Sequence, residues 1–180
     1  MDVGDHLRRL RFKSDGRDSP AEVERLEELV GARLASDYRQ FLLTFGGGDL
    51  NAFAPCVGPS PIKECSVTRL HSAAEVVELL DSLVTPRNMV SISYGNDGQT
   101  GCLSVAGLDH GKVFALDTKM RAFWGAATLA QLPDLDPSIR EFFRLRDADQ
   151  LPERPWGYDN CYPLAGSFTE FLAELRAVGS

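Results

Sequence analysis

The sequence predicts a single α+β domain in which a mostly antiparallel sheet packs against helices. Residues 88–117 alternate apolar and polar side chains in three runs, separated by Asn96-Asp97-Gly98 and Asp109-His110-Gly111. This is the pattern of half-buried strands joined by tight turns. Elsewhere, Ser-x-x-Glu sequences precede apolar residues at helical spacing, which is typical of capped amphipathic helices. We therefore predict a central meander in a sheet of about five to six strands, packed against an N-terminal pair of helices and a C-terminal helix.

The helix pair is expected after a flexible lead-in over residues 1–18, where charges of both signs are mixed. Ser19 and Glu22 form a capping box that begins the first helix, and Gly31 is placed to end it. Three glutamates of this helix are expected to face water, namely Glu24, Glu27 and Glu28. A second helix begins at Ser36 and stops at the glycine run 46–48.

Further elements are predicted along the rest of the chain. Two strands are expected near residues 55–58 and 65–70, followed by a helix after Ser72 with an apolar stripe that extends to Leu83. A short strand at 122–124, a short helix from Ser138 and a long surface loop over 146–163 come after the meander. The last helix follows Ser167, and its continuous apolar face comprises Phe168, Phe171, Leu172, Leu175 and Val178.

Glycine is expected to make several of these turns, because it adopts a positive φ without steric cost. The predicted structural turns are Gly31, Gly46, Gly47, Gly98 and Gly111.

Length and composition indicate one domain spanning 1–180. The chain has 180 residues, 43% of them apolar and 25% charged, with a net charge of -7. No apolar run is long enough to cross a bilayer and the N-terminus is polar, so we expect a cytoplasmic protein that does not bind membranes. The four cysteines are then expected to be reduced thiols, with Cys102 in the core. The negative charge disfavours direct binding to nucleic acid.

No catalytic, metal or cofactor motif is recognisable. His6, His71 and His110 are far apart and lack the paired spacing of a zinc site. The glycines at 95, 98 and 101 do not have the spacing of a phosphate-binding or dinucleotide-binding loop. We therefore predict no catalytic residues, no metal and no cofactor, and a protein that is not an enzyme.

Three separated segments resemble the SUKH superfamily, of the Smi/Knr type named after a fungal cell-wall assembly regulator. VERLEELVGARLASDYRQFLLTFGGGDL is similar to the family's two helices and glycine turn. MVSISYGNDGQTGCLSVAGLDHGKVFALD is similar to its central strands, and SFTEFLAELRA to its closing helix. The three segments follow each other in the family's order.

The resemblance implies a binding protein rather than an enzyme. Most bacterial members are immunity proteins that bind a cognate polymorphic toxin, and the partner expected here is such a toxin, for instance a basic nuclease. Two alternatives stay open: an intracellular signalling adaptor similar to the fungal members, and an enzyme that uses paired carboxylates. The enzyme would require a deep pocket and a carboxyl group with a strongly raised pKa. The oligomeric state is left open.

Candidate partner-binding residues lie at predicted turns and in the long loop. Trp156 and Tyr158 are aromatic residues on a polar loop, which is typical of interface anchors, although Trp156 could instead seal the sheet or the final helix. From residue 126 onward, nine acidic residues stand against five arginines, a balance that suits a basic toxin or serves only solubility. The complete predicted set is Asp49, Asp97, Asp109, Arg154, Trp156, Tyr158 and Asp159.

Overall fold

An antiparallel sheet forms the centre of the protein. The computed structural model describes residues 2–57, 62–80, 85, 88–96, 98–117, 144, 148 and 161–178. Within these residues the sheet has eight strands in the order β1-β2-β3-β4-β5-β6-β7, and β8 pairs with β2. The strands are β1 (Lys13–Ser14), β2 (Gly48–Pro55), β3 (Glu64–Leu70), β4 (Met89–Tyr94), β5 (Gln99–Ser104), β6 (Val113–Asp117), β7 (Cys161–Ala165) and β8 (Arg176–Ala177).

Helices accompany the sheet, and the α+β prediction is confirmed. They are α1 (Val3–Arg9), α2 (Pro20–Val30), α3 (Ser36–Thr44), α4 (Ala73–Glu78) and α5 (Phe168–Glu174). The capping boxes at Ser19 and Ser72 are both formed, since each serine side chain accepts a hydrogen bond from the N–H of the glutamate three residues later. The sheet has more strands than predicted, because β1 and β8 are two-residue pairings that no sequence period reveals.

The predicted meander is confirmed as β4, β5 and β6. Val90 pairs with Leu103 and Leu103 with Val113, so their side chains share the face that packs into the core. Cys102 points away from that set and is fully buried, as predicted. The pairing shifts between Ser91 and Ser93, and Tyr94 consequently is half exposed rather than buried.

Aromatic side chains join α3 and α5 in the core. The ring of Phe168 lies 4.8 Å from that of Tyr38 and 5.0 Å from that of Phe41, centroid to centroid. All three are buried, and Phe171 adds a further ring at 5.9 Å from Phe168. The N-terminal helix pair and the closing helix are thus held together by the apolar faces that the sequence predicted for them.

The structure differs from the prediction at the start of the chain. Residues 1–18, expected to be a flexible lead-in, contain α1 and β1. Leu7 and Leu10 are buried in the core, and this apolar spacing at i and i+3 explains why the segment is ordered.

Four other boundaries also need correction. The strand expected at 55–58 is the end of β2, which stops at Pro55. Helix α4 ends at Glu78, short of the predicted stripe. The predicted loop over 146–163 ends before Cys161, because β7 pairs with β6 from that residue. Helix α5 ends at Glu174, and the side chain of Val178 is 59% exposed. The predicted strand at 122–124 and helix from Ser138 lie outside the described residues.

The segment that follows β2 contacts β7, which lies at the far end of the strand order. Beyond the end of β2, the N–H of Val57 donates to the carbonyl of Pro163 in β7, at 2.8 Å. Strands β2 and β7 are otherwise separated by four strands in the sheet order. In the part of the chain that the structure describes, no helix has the length and apolarity needed to span a membrane.

Candidate functional site

A four-residue ion-pair cluster lies where β2, β3 and α4 meet. We call Asp15, Asp49, Arg69 and Glu75 the Arg69 cluster. Arg69 Nη1 donates to Asp49 Oδ1 at 2.8 Å and its Nε donates to Glu75 Oε1 at 2.6 Å. Its Nη2 pairs with Asp15 Oδ2. Three carboxylates therefore surround one guanidinium, and the cluster carries a net negative charge.

Strand register and a helix cap place these side chains. Asp49 and Arg69 are directly opposite each other in the β2–β3 ladder. Glu75 is held by the capping box of α4, where its Oε2 accepts from the Ser72 N–H at 2.8 Å. Its other oxygen is thereby left for Arg69. Asp15 follows β1 and is fixed through its own N–H, which donates to the carbonyl of Gly47 at 2.9 Å.

Arg69 and Glu75 favour each other's charged form. Burial alone would raise the pKa of Glu75, but hydrogen bonds from Arg69 and Ser72 outweigh it and hold the pKa below its usual 4.5. The hydrogen bond to Glu75 likewise raises the pKa of Arg69. The side chains of Asp15 and Asp49 are 56% and 64% exposed, so two of the carboxylates face solvent. The arrangement presents fixed negative charge, already oriented, to an approaching group.

The glycine turn at residues 46–48 packs closely against two of the segments that carry the cluster. Gly46 has φ 65°, and a Cβ there would lie 1.9 Å from the carbonyl oxygen of Gly16. A Cβ on Gly47 would lie 2.5 Å from the Ser72 nitrogen. These close backbone approaches lock the turn against the loop that carries Asp15 and against the start of α4. The predicted turn glycines Gly31, Gly98 and Gly111 also have positive φ.

Asp18 lies at the start of α4, which also carries the cluster residue Glu75, and its pKa is raised. Its side chain is buried, and its Oδ1 accepts from the Ala73 N–H at 3.1 Å, whereas its Oδ2 has no hydrogen-bond partner among the described residues. Burial raises its pKa from 3.8 to about 6, opposed by the Ala73 hydrogen bond and reinforced by the carboxylates of Glu22 and Glu75.

A raised carboxyl pKa is one of the two features that the enzyme alternative requires. The other is a deep pocket. Three surface cavities, of 530, 520 and 370 Å³, are formed by described residues, and Asp18 lines none of them. Asp18 is packed against the start of α4, where its Oδ1 accepts from the Ala73 N–H.

A second carboxylate group lies at the end of α2. The 530 Å³ cavity is lined by Glu24, Glu27 and Glu28 together with residues 31–33. Glu27, expected to face water, is only 6% exposed. The chain folds back after α2, so that Arg33 Nη1 donates to Glu27 Oε2 at 2.7 Å and the Leu34 N–H to its Oε1 at 3.0 Å. Glu27 thus anchors the α2–α3 link and is not free for a partner.

The predicted partner-binding residues are distributed over different parts of the fold. Asp49 belongs to the Arg69 cluster. Asp109 lies in the connection between β5 and β6, where it is 6% exposed and its Oδ1 accepts from Lys112 Nζ at 3.0 Å. The remaining five lie outside the described residues: Asp97, Arg154, Trp156, Tyr158 and Asp159.

Arg69, Glu75 and Asp15 were not among the site residues predicted from the sequence. The capping box identified Glu75 as a helix-start residue, but nothing local to the sequence shows that its second oxygen meets an arginine. Within the described ranges, no three His, Cys, Asp or Glu side chains are grouped in a way that could hold a metal ion. The buried thiol of Cys102 has its pKa raised by burial, which suits an inert core residue.

Comparison with known proteins identifies the family. A family model described as the SMI1/KNR4 family (SUKH-1) matches residues 19–174. The matched region includes Asp49, Arg69 and Glu75 and ends before β8. No curated protein matches the chain.

Proposed function

Because the chain belongs to the SMI1/KNR4 family (SUKH-1), we propose that it is an immunity protein that binds and neutralises a cognate toxin domain. The family match over residues 19–174 is the observation that carries this proposal. The resemblance implies a protein-binding role, and most bacterial members of the superfamily act as immunity proteins. A toxin that acts in the cytoplasm would be met there, so we place the protein in that compartment.

Neutralisation by occlusion sets a requirement on affinity. A blocking protein must keep the concentration of free toxin very low, which calls for a Kd in the nanomolar range or below, about -12 kcal/mol. Such affinity comes from a few buried anchors, whereas charge mainly raises the association rate. The predicted aromatic residues Trp156 and Tyr158 are proposed as anchors, with Arg154 and Asp159 beside them.

The Arg69 cluster is proposed as the surface that attracts a basic toxin. Its carboxylates are held by the strand register, the helix cap and the glycine turn, so they lose little conformational freedom on binding. Asp49 and Asp15 are the members with the largest exposure to solvent. Asp97 and Asp109 remain proposed contacts. Of the two acidic candidates that the structure describes, Asp49 and Asp109, the buried Asp109 is the weaker.

The direct test uses the protein encoded immediately upstream. If that reading frame encodes a large secreted protein, its variable C-terminal domain is expressed in a host with and without this chain. We expect growth arrest that is relieved by the chain, and a 1:1 complex with nanomolar Kd by calorimetry. Absence of both protection and binding would refute the proposal for that toxin, and protection at a small fraction of one equivalent would indicate an enzyme.

Variants of the Arg69 cluster then test its role. Asp49→Asn keeps an acceptor for Arg69 but removes the charge, and combined with Asp15→Asn it should lower the association rate about tenfold at low salt, with little effect on the dissociation rate. Glu64→Gln is the matched control, since Glu64 is an exposed carboxylate at the other end of the same β2–β3 pair. Equal association rates for the two variants would exclude the cluster from the encounter.

The adaptor remains the second candidate function, again on the family resemblance. It predicts micromolar affinity for several unrelated partners and no protection against any single toxin. Calorimetry against the upstream domain separates the two possibilities, because they differ by about a thousandfold in Kd, or about 4 kcal/mol.

A further inference from the structure

A basic groove lies at the edge of β2 that pairs with β1 and β8, whereas Arg69 is on β3, which pairs with the other edge of β2. It is a 520 Å³ cavity between the end of α1, β1 and β8, and we define it by Arg9, Arg11, Lys13, Asn51 and Val178. Strands β1 and β8 pair with different parts of the same edge of β2, at residues 48–49 and 52–53. The groove therefore lies over the short stretch of β2 between the two pairings.

The groove concentrates positive charge in a chain whose net charge is -7. Arg9, Arg11 and Lys13 are all exposed, and among the described residues none of them forms an ion pair. Asp49 also lines the cavity, but its Oδ1 is bound to Arg69. Three cations at this position are mutually repulsive, and an anionic partner would relieve that repulsion.

Arg11 provides a second, independent observation. It has φ 57°, and it is the one residue other than glycine with positive φ in the described part of the chain. It follows the end of α1, where its N–H donates to the Arg8 carbonyl and the Phe12 N–H donates to that of Leu7. Glycine is the usual residue at such a helix terminus. An arginine there strains the backbone, and residues under strain are concentrated at functional sites.

The remaining lining favours a peptide over a nucleotide. Val178 offers an apolar surface that is 59% exposed, and the exposed Asn51 side chain can both donate to and accept from a peptide backbone. No aromatic side chain is among the described residues of the cavity wall, so a base has nothing to stack on.

The groove lies at the edge of the family match. Arg9, Arg11 and Lys13 precede the matched residues 19–174, and Val178 follows them, whereas Asn51 lies within the match.

We propose that the basic groove binds an extended acidic segment of a partner protein. Carboxylates of the segment would contact Arg9, Arg11 and Lys13, and a small apolar side chain would rest on Val178. This second docking surface does not depend on the identity of the toxin.

The test uses the full chain and a fluorescent eight-residue peptide of glutamate and valine, with a glutamine-for-glutamate peptide as control. Fluorescence anisotropy should show binding by the acidic peptide that is at least about tenfold tighter than by its neutral counterpart, and weaker as salt increases. Equal binding of the two peptides, or no binding of either, would overturn the proposal. So would a single-stranded oligonucleotide of equal charge that binds more tightly than the acidic peptide.

The informative variant is Arg11→Gly. Glycine suits the positive φ, so the thermal midpoint should stay the same or rise, whereas affinity for the acidic peptide should fall about tenfold because one charge-assisted contact is lost. Arg25→Ala is the matched control, since it removes one exposed cation from α2, away from the groove. If a stable Arg11→Gly protein keeps full affinity for the acidic peptide, the groove is excluded as the binding site. Because the probe is a peptide, this outcome is independent of whether any toxin is neutralised.

Discussion

Replacement of Asp18 by asparagine is expected to stabilise the protein in a pH-dependent manner. Asp18 is 7% exposed, and burial raises its pKa from 3.8 to about 6. The folded protein therefore binds this proton more tightly than the unfolded chain does. Ionisation of Asp18 at neutral pH costs folding free energy, and stability from this group is present below pH 3.8 and lost as the pH rises through about 6.

The magnitude follows from the two pKa values. A tenfold change in a dissociation constant is worth about 1.4 kcal/mol, so the change from 3.8 to about 6 corresponds to at most about 3 kcal/mol. Asparagine has nearly the same shape, and its oxygen can still accept from the Ala73 N–H. The Asp18→Asn protein should thus match the wild type near pH 4 and exceed its free energy of unfolding by up to about 3 kcal/mol at pH 7 and above.

Urea denaturation of both proteins between about pH 4 and 8 measures this difference, in which the contributions of titrating groups that do not interact with Asp18 cancel. Glu24→Gln is the control, because it neutralises an exposed carboxylate on α2 and should change the free energy of unfolding by less than about 0.5 kcal/mol. A difference that does not vary with pH, or a loss of stability in Asp18→Asn at pH 7, would refute the assignment of Asp18 as a buried, unfavourably ionised group.

Substitutions at four further positions test the packing of the fold. Gly46→Ala should lower the free energy of unfolding by about 3 kcal/mol or more, since its Cβ would lie 1.9 Å from the carbonyl oxygen of Gly16. Gly31 has φ 70° but nothing within 4 Å of such a Cβ, so Gly31→Ala should lower it by only about 1 kcal/mol. Chemical denaturation should rank them in that order, and equal losses would contradict the steric argument. Tyr38→Phe removes a fully buried hydroxyl that has no hydrogen-bond partner, so thermal unfolding should show stability that is unchanged or higher by about 1 kcal/mol. A clear loss would mean that the hydroxyl is satisfied in solution. Glu27→Ala leaves the buried N–H of Leu34 without its acceptor and should lower the free energy of unfolding by about 2 kcal/mol, measured by chemical denaturation. Glu27→Gln should recover part of this loss. No loss in the alanine variant would exclude Glu27 as the anchor of the α2–α3 link.

The elements that could be predicted from the sequence are those fixed by neighbours in the chain. Ser19, Ser72 and Ser167 each accept from the N–H three residues later, as the pattern predicted, because a helix cap involves only one turn of chain. The meander was predictable for a related reason, since tight turns bring consecutive strands together and set their register.

The elements that could not be predicted depend on contacts between distant segments. Glu27 has the spacing of a water-facing residue on α2, and only the return of the chain after Gly31 covers it. Arg69 gathers carboxylates from three other segments, at positions 15, 49 and 75. For α1, by contrast, the signal was present: Leu7 and Leu10 have helical spacing but are surrounded by charges of both signs.

The shared edge of β2 has a consequence for how the protein is made. Ala52 and Phe53 pair with Ala177 and Arg176, which leave the ribosome long after β2 has been synthesised. Until then this part of the strand has unsatisfied backbone groups, and a nascent chain in that state can pair with a neighbouring one. Translation speed over the last residues, or a chaperone that shields this edge, should therefore influence how much of the protein reaches its native form.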